Sequence, residues 1–416
     1  MSNDPFNLKG ELIKLFRRYN MNKKISAAVA SAALVLGTTS ANAGIIIPAG
    51  EWTLDVNGNV NVYANFSSAD DGSTSTVTGG LVSREDGNGE GDGQSINTGL
   101  LPAWLGFTGT TRQNDLDVSF TISVQPNVSQ NDLMGDTEGT AANDAVAWRQ
   151  AFLTFGDKSW GTVKMGKDIG IFAKNAILSD MTLLGVGTLA GAERSGANFT
   201  SGGIGTGYIY PAWKGQISYT SPNFNGFQFT AGLTNPNQGV GGTYNQDRFG
   251  LEAEVAYSFD AGKVWVSAAS YDVTQANATG DYDAEAIDIG VNWNMGNLGL
   301  TAYYYTADGA GTTFMHNLGV SGNSERESDG GYVQATYVIP SGTKLGVSFG
   351  SSKLDLASGE TNTSLVEENK RWTVGAYHPL TKHLNLVAEF NHNEAQAQDG
   401  ATAENDAISL GAILFF

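Results

Sequence analysis

From residue 44 onward, hydrophobic and polar positions alternate with a period of two. Leu54, Val56, Val60 and Val62 alternate with Thr53, Asp55, Asn57, Asn59 and Asn61. Leu116, Val118, Phe120, Ile122 and Val124 alternate with Asp117, Ser119, Thr121 and Ser123. Leu251, Ala253, Val255 and Tyr257 face away from Glu252 and Glu254, and Ile287, Ile289 and Val291 from Asp288 and Asn292. Successive side chains of a strand point to opposite faces, so each such strand has one apolar and one polar side. No run of 18 apolar residues occurs in this part, so no membrane-spanning helix is predicted. A soluble antiparallel sandwich shows the same alternation, and the pattern alone does not separate the two.

The count and the connectors do. Sixteen alternating segments fall near 52–66, 101–112, 116–127, 147–156, 161–171, 213–221, 226–235, 247–259, 263–273, 284–295, 298–307, 330–339, 343–354, 371–380, 383–393 and 405–416. Short connectors such as Gln113-Asn114-Asp115, Ala261-Gly262 and Gly296-Asn297 alternate with long acidic or glycine-rich ones. The long ones include Ser67–Gly99, Ser129–Ala145, Phe172–Ala212 and Ala310–Asp329. An even number of strands of about ten residues, with tight turns at one end and long loops at the other, predicts an antiparallel transmembrane β-barrel. The fold class expected is therefore all-β, a 16-stranded barrel with short periplasmic turns and long extracellular loops. Trp52, Trp148, Trp160, Trp265, Trp372 and Tyr377 lie near strand ends and suit aromatic girdles at the membrane interfaces. The last segment alternates Ile408, Leu410, Ala412 and Leu414 outward and ends on Phe416.

The N-terminus supplies the matching address. Met21-Asn22-Lys23-Lys24 is basic, Ile25–Leu36 is apolar, and Ala41-Asn42-Ala43 has the small-residue pattern of a cleavage site. The expected start is Met21, with cleavage after Ala43, so that residues 1–43 are extension and export signal and 44–416 the barrel. The whole chain of 416 residues carries 42 acidic and 23 basic residues, a net charge of −19. Removal of residues 1–43 takes away six basic and two acidic residues, leaving −23. This excess speaks against a nucleic-acid partner, because phosphate binding needs clustered Lys and Arg. The absence of cysteine rules out disulfides, zinc–thiolate sites and a cysteine nucleophile. The four histidines, His316, His378, His383 and His392, stand in no nucleophile motif, and no enzyme, cofactor or metal site is expected. The Gly202–Gly207 run follows no buried strand and has no P-loop lysine, so it reads as a loop.

Four stretches carry a family resemblance. Leu105-Gly106-Phe107-Thr108-Gly109 is similar to the LGFKG strand of Gram-negative general porins. Arg149–Gly156 followed by Trp160–Lys167 resembles their RxAxxGL-turn-FGxxxxGR hairpin. Ile217–Phe227, with Ser221-Pro222-Asn223-Phe224, resembles their YxSPxFxGF hairpin, and the Phe-ended last strand is the fourth match. The resemblance implies homotrimers in the outer membrane, in contact with lipid and lipopolysaccharide, whose third long loop folds into the lumen. By position that loop is Phe172–Ala212.

In the family, acidic residues on this loop face an arginine ladder on the wall. Arg149 matches one ladder position, whereas Trp104 replaces the arginine before LGF and the third position falls near Ala212, with Lys214 close by. The acidic candidates on the loop are Asp180 and Glu193, with Arg194 adjacent, and Asp180 has a second reading as a helix cap. Lys164 and Asp168 lie on the inward parity of their strand, as do Glu252 and Glu254, which read equally as lumen-wetting residues. The expected function is a water-filled, cation-preferring channel for passive diffusion of small hydrophilic solutes and ions. A substrate-specific channel is the alternative, with Tyr303, Tyr305 and Trp265 as an aromatic slide, and a surface adhesin is the other. Acidic runs at Asp70-Asp71, Glu85-Asp86, Glu90 and Asp92 read as solvated loop charge rather than a cation site.

Overall fold

The computed structural model describes residues 44–69, 77–82, 92–126, 147–189, 199–235, 244–245, 248–275, 281–313 and 317–416. The predicted export signal, Glu193, Arg194, His316 and the acidic runs at 70–71 and 85–90 lie outside the described residues. Sixteen strands form the wall. They are β1 (Trp52–Ala69), β2 (Trp104–Gln113), β3 (Leu116–Gln125), β4 (Ala147–Asp157), β5 (Gly161–Ile169), β6 (Trp213–Thr220), β7 (Phe227–Thr234) and β8 (Gly250–Phe259). The circuit continues with β9 (Gly262–Gln275), β10 (Asp281–Met295), β11 (Leu298–Asp308), β12 (Glu327–Val338), β13 (Lys344–Leu354), β14 (Val366–Pro379), β15 (Leu384–Ala397) and β16 (Thr402–Phe415).

Each strand pairs antiparallel with its sequence neighbours, and β1 closes the ring on β16 through the register Asn59↔Phe415 to Ala69↔Asn405. At the seam Gly58 and Phe416 exchange backbone hydrogen bonds of 2.8 and 3.0 Å. β1 is long because its first half pairs with β2 and its second half with a short strand at Asp92–Asn97. A further short strand, Ile45–Ala49, extends the edge of β1 beyond the C-terminus. The β2–β3 hairpin turns on Asn114 and Asp115, at φ 48° and 62°. That geometry belongs to a type I′ turn, whose twist matches the strands it joins.

The burial pattern inverts that of a soluble protein. Ile287 and Val255 are 50% and 55% exposed, while Asp288 and Glu252, their neighbours in sequence or on the same strand, are each 2% exposed. An apolar exterior around a polar interior is stable only where lipid replaces water, and closure leaves no unpaired edge in that lipid.

Two aromatic expectations are corrected. Trp265 and Tyr377 share the parity of the polar inward residues and are buried, so neither belongs to a girdle. Trp265 lies across Gly290, where any Cβ would collide with its ring, and the glycine makes room for the indole inside the barrel. Proximity to a strand end was the wrong guide, since parity decides the face. Outward aromatics at the short-turn rim come instead from Phe155 with Trp160, Tyr219 with Phe229, and Phe227 with Tyr257, the last pair 4.4 Å between ring centroids.

Candidate pore constriction

The segment between β5 and β6 begins and ends as one tied loop, with the Gly170 amide donating to the Ala212 carbonyl at 2.8 Å. It carries a short helix, α1 (Lys174–Ser179), and a 3-10 turn at Met181–Leu184. Its backbone amides are met by inward side chains of the opposite wall. Glu252 on β8 accepts from the amides of Ile171 (2.5 Å) and Phe172 (3.0 Å). Its other oxygen takes Lys214 Nζ at 2.7 Å and the Tyr271 hydroxyl. Ser267 on β9 accepts from the Ala173 amide (3.2 Å) and is itself held by Asp288. Glu254 takes the Asn175 side chain at 2.5 Å, with Lys263 and Lys174 at 3.8 and 4.0 Å.

Farther round the wall, Gln334 on β12 accepts from the Met181 amide (2.7 Å) and donates to the Ser179 carbonyl (3.0 Å). Glu389 on β15 accepts from the amides of Val186 (2.8 Å) and Gly187 (2.9 Å). Tyr63 on β1 donates to the Leu184 carbonyl at 2.8 Å. Partners on β8, β9, β12, β15 and β1 place the segment inside the lumen and against that arc of the wall. Buried amides off the sheet ladder need acceptors, and the inward carboxylates and amides supply them.

Asp180 is the hub within the loop. It caps the 3-10 turn through the Thr182 amide (2.9 Å), so the helix-cap reading describes one of its contacts. It also accepts from the Gly203 amide (3.1 Å) and the Tyr208 hydroxyl (2.9 Å), and Arg371 Nη2 lies 3.8 Å away. A Cβ on Gly203 would lie 2.7 Å from Tyr208 and 2.8 Å from Asp180. The glycine run is thus a packed strap rather than a free loop.

Other sequence-derived candidates divide into two groups. Lys214, Glu252 and Glu254 were expected to line the passage, but they are buried at the root of the loop. The charges of Lys214 and Glu252 satisfy each other instead of facing solvent, and Glu254 is occupied by Asn175 and Lys174 of the loop and by Lys263 of β9. Arg149, Lys164 and Asp168 lie on the other arc. Arg149 is the extra residue of a β-bulge, between Gln150 opposite Ser123 and Trp148 opposite Val124. A bulge re-aims side chains. Here the guanidinium donates to the Tyr210 hydroxyl (3.2 Å) and stacks 4.4 Å from the Phe199 ring centroid, both on the loop. Lys164 pairs with Asp168, which also accepts from Gln150 at 3.0 Å.

Arg371, Glu389 and Gln334 were not singled out from the sequence. The inward parity of polar residues, Arg371 with Thr373 and Glu389 with Asn391, was the available signal. The tyrosines once weighed as a slide, Tyr303 and Tyr305, are buried on the arc the loop covers and line no open path. Among the described residues no group of three His, Asp or Glu side chains is placed to hold a metal ion.

At the long-loop rim, Arg326 grips Glu360 with two hydrogen bonds, Nε at 2.8 Å and Nη2 at 2.5 Å, and donates a third to the Leu318 carbonyl. This fork holds the Glu360 carboxyl down at about 2. Beside it Val77, Val82, Leu354, Leu365 and Val366 form an apolar cluster under the rim loops.

Comparison with known proteins agrees with this architecture. The family model described as Gram-negative porin matches residues 30–398. A search of the curated proteins by sequence finds no match. Among solved structures, the outer-membrane channel DcaP of Acinetobacter baumannii is 16% identical, covers 89% of this chain and 99% of its own, and superposes at a TM-score of 0.65. OmpF of Salmonella typhi, solved with daunomycin, is 17% identical at a TM-score of 0.60, over 89% of this chain and 100% of its own. The trimer form of Vibrio cholerae OmpT is 14% identical at 0.54, over 88% and 99%.

Proposed function

This chain belongs to the Gram-negative porin family, whose members are outer-membrane β-barrel channels for passive diffusion rather than enzymes, and from that premise we propose a cation-preferring homotrimeric diffusion pore for small hydrophilic solutes. The observation that carries it is a loop fastened along one arc of a closed polar lumen. The opposite arc, β2 to β7, keeps half-exposed inward groups such as Thr108, Ser119, Thr154 and Lys164. Water and solutes pass on that side.

The cation preference arises at the mouth. Most inner charges are paired, as in Lys164–Asp168 and Lys214–Glu252, so the transverse field is weak. The acid excess of the chain then dominates through the long loops, which face the exterior and raise the local cation concentration. Residues 1–43 comprise an N-terminal extension and the export signal, with the start at Met21 and cleavage after Ala43, and outer-leaflet lipid and lipopolysaccharide surround the apolar band. Arg149 and Lys164 border the constriction, with the buried Asp168 holding Lys164 and the buried Asp180 shaping the loop from within, and Glu193 and Arg194 belong to the same loop.

Single-channel recording of the refolded protein under a KCl gradient tests this reading. Large steps arriving in threes, with a reversal potential of cation-selective sign, are expected. A correctly folded barrel without current would overturn the pore, and an anion-selective potential would overturn the charge assignment.

A further inference from the structure

On the open arc the sheet register places hydroxyls side by side. Ser119, Thr154, Lys164 and Ser218 are direct partners on β3, β4, β5 and β6. One step along, Thr108 stands opposite Thr121, and Thr220 opposite Thr230. The hydroxyls bond across the strands, at 2.6 Å for Ser119–Thr154, 3.1 Å for Thr108–Thr121 and 3.0 Å for Thr220–Thr230. One hydroxyl offers one donor and two acceptor sites, so each bonded pair keeps a free donor and several free acceptor sites. Among the described residues none of these groups hydrogen-bonds the loop, which meets this arc through Arg149, and all but the buried Thr121 and Ser218 are half-exposed.

We propose that this hydroxyl wall makes the pore selective for uncharged polyhydroxylated solutes, such as monosaccharides and polyols, over equally large solutes with few hydroxyls. The inference rests on the diffusion-pore reading and names the solute class that the same passage favours. A solute squeezed between wall and loop sheds part of its water. Wall hydroxyls replace those hydrogen bonds in kind for a sugar, whereas an ether has no donors to offer them. Lys164 is the one charge in the row and is occupied by Asp168, so the track is electrically quiet.

The test is liposome swelling with the full mature chain, comparing glucose with triethylene glycol dimethyl ether, a solute of nearly equal mass and no hydroxyl. Wild type is expected to admit glucose faster. Replacing Thr108, Thr121 and Thr154 by Val and Ser119 by Ala should lower the glucose-to-ether ratio about threefold, the scale of a fraction of one net hydrogen bond. Thr154→Ser, which keeps the hydroxyl, should restore the wild-type ratio at that position. If the fourfold variant fails to fold, Thr154→Val alone should still lower the ratio measurably. An unchanged ratio in a conducting channel would overturn the hydroxyl assignment while leaving the pore intact. Absence of KCl conductance in wild type would instead overturn the pore itself.

Discussion

Asp180 and Arg371 have side chains 0% and 1% exposed, and each is the other's nearest opposite charge at 3.8 Å. Arg371 also donates to Thr373 Oγ1 at 3.0 Å, while Asp180 has three donors of its own, so the arginine is the more dependent partner. Asp180→Ala should therefore cost about 3 kcal/mol, since it strands a buried cation, and adding Arg371→Met should recover part of that loss. Urea unfolding of the four corners of this cycle measures the coupling, and strict additivity would show that the pair does not interact. Gly203→Ala crowds the same hub from the other side. It should loosen the strap and raise open-channel noise without altering the barrel's strand content by circular dichroism.

At the scale of elements, the loop is held by wall carboxylates, and Glu252 alone receives two of its amides and one buried lysine. Glu252→Gln leaves Lys214 uncompensated, and the loop should become accessible to protease in the folded barrel; an equally resistant loop would argue against the anchor. The rim fork responds to acid. Glu360 is held at about 2 against an ordinary carboxylate value near 4.3, so its stabilising contact is complete above that ordinary value. It is lost as the pH falls from there through about 2. Hydrogen exchange of residues 317–326 and 355–365 should rise over that window in wild type, whereas Glu360→Gln should exchange fast throughout. The strands were legible in sequence because a one-residue slip would turn every apolar side chain inward, so parity fixes each face. The loop was legible in position but not in its contacts. Those contacts join residues such as Val186 and Glu389, about 200 apart in the chain, and no local pattern encodes such a meeting. Trp265 shows the limit clearly, since its face is set by parity and its space by Gly290 on the next strand.

For the whole molecule, the acidic excess acts through solvent and should weaken as salt screens it. The reversal potential per tenfold gradient should shrink between 0.1 M and 1 M KCl, as the Debye length falls from about 10 Å to about 3 Å. A salt-independent potential would place selectivity at a fixed site in the lumen instead. Trimerisation is checked by mass in detergent, where a monomer would overturn it. The seam between β1 and β16 carries one more consequence. Its partners lie more than 330 residues apart, so although one edge of the first strand pairs early with β2, its other edge has no mate until β16 has been made. Until then the chain holds two raw sheet edges, the state most prone to illicit pairing. Assembly is thus a race between the arrival of Phe416 and aggregation. Removing the last strand should lose the race outright, yielding aggregate rather than a slightly smaller pore.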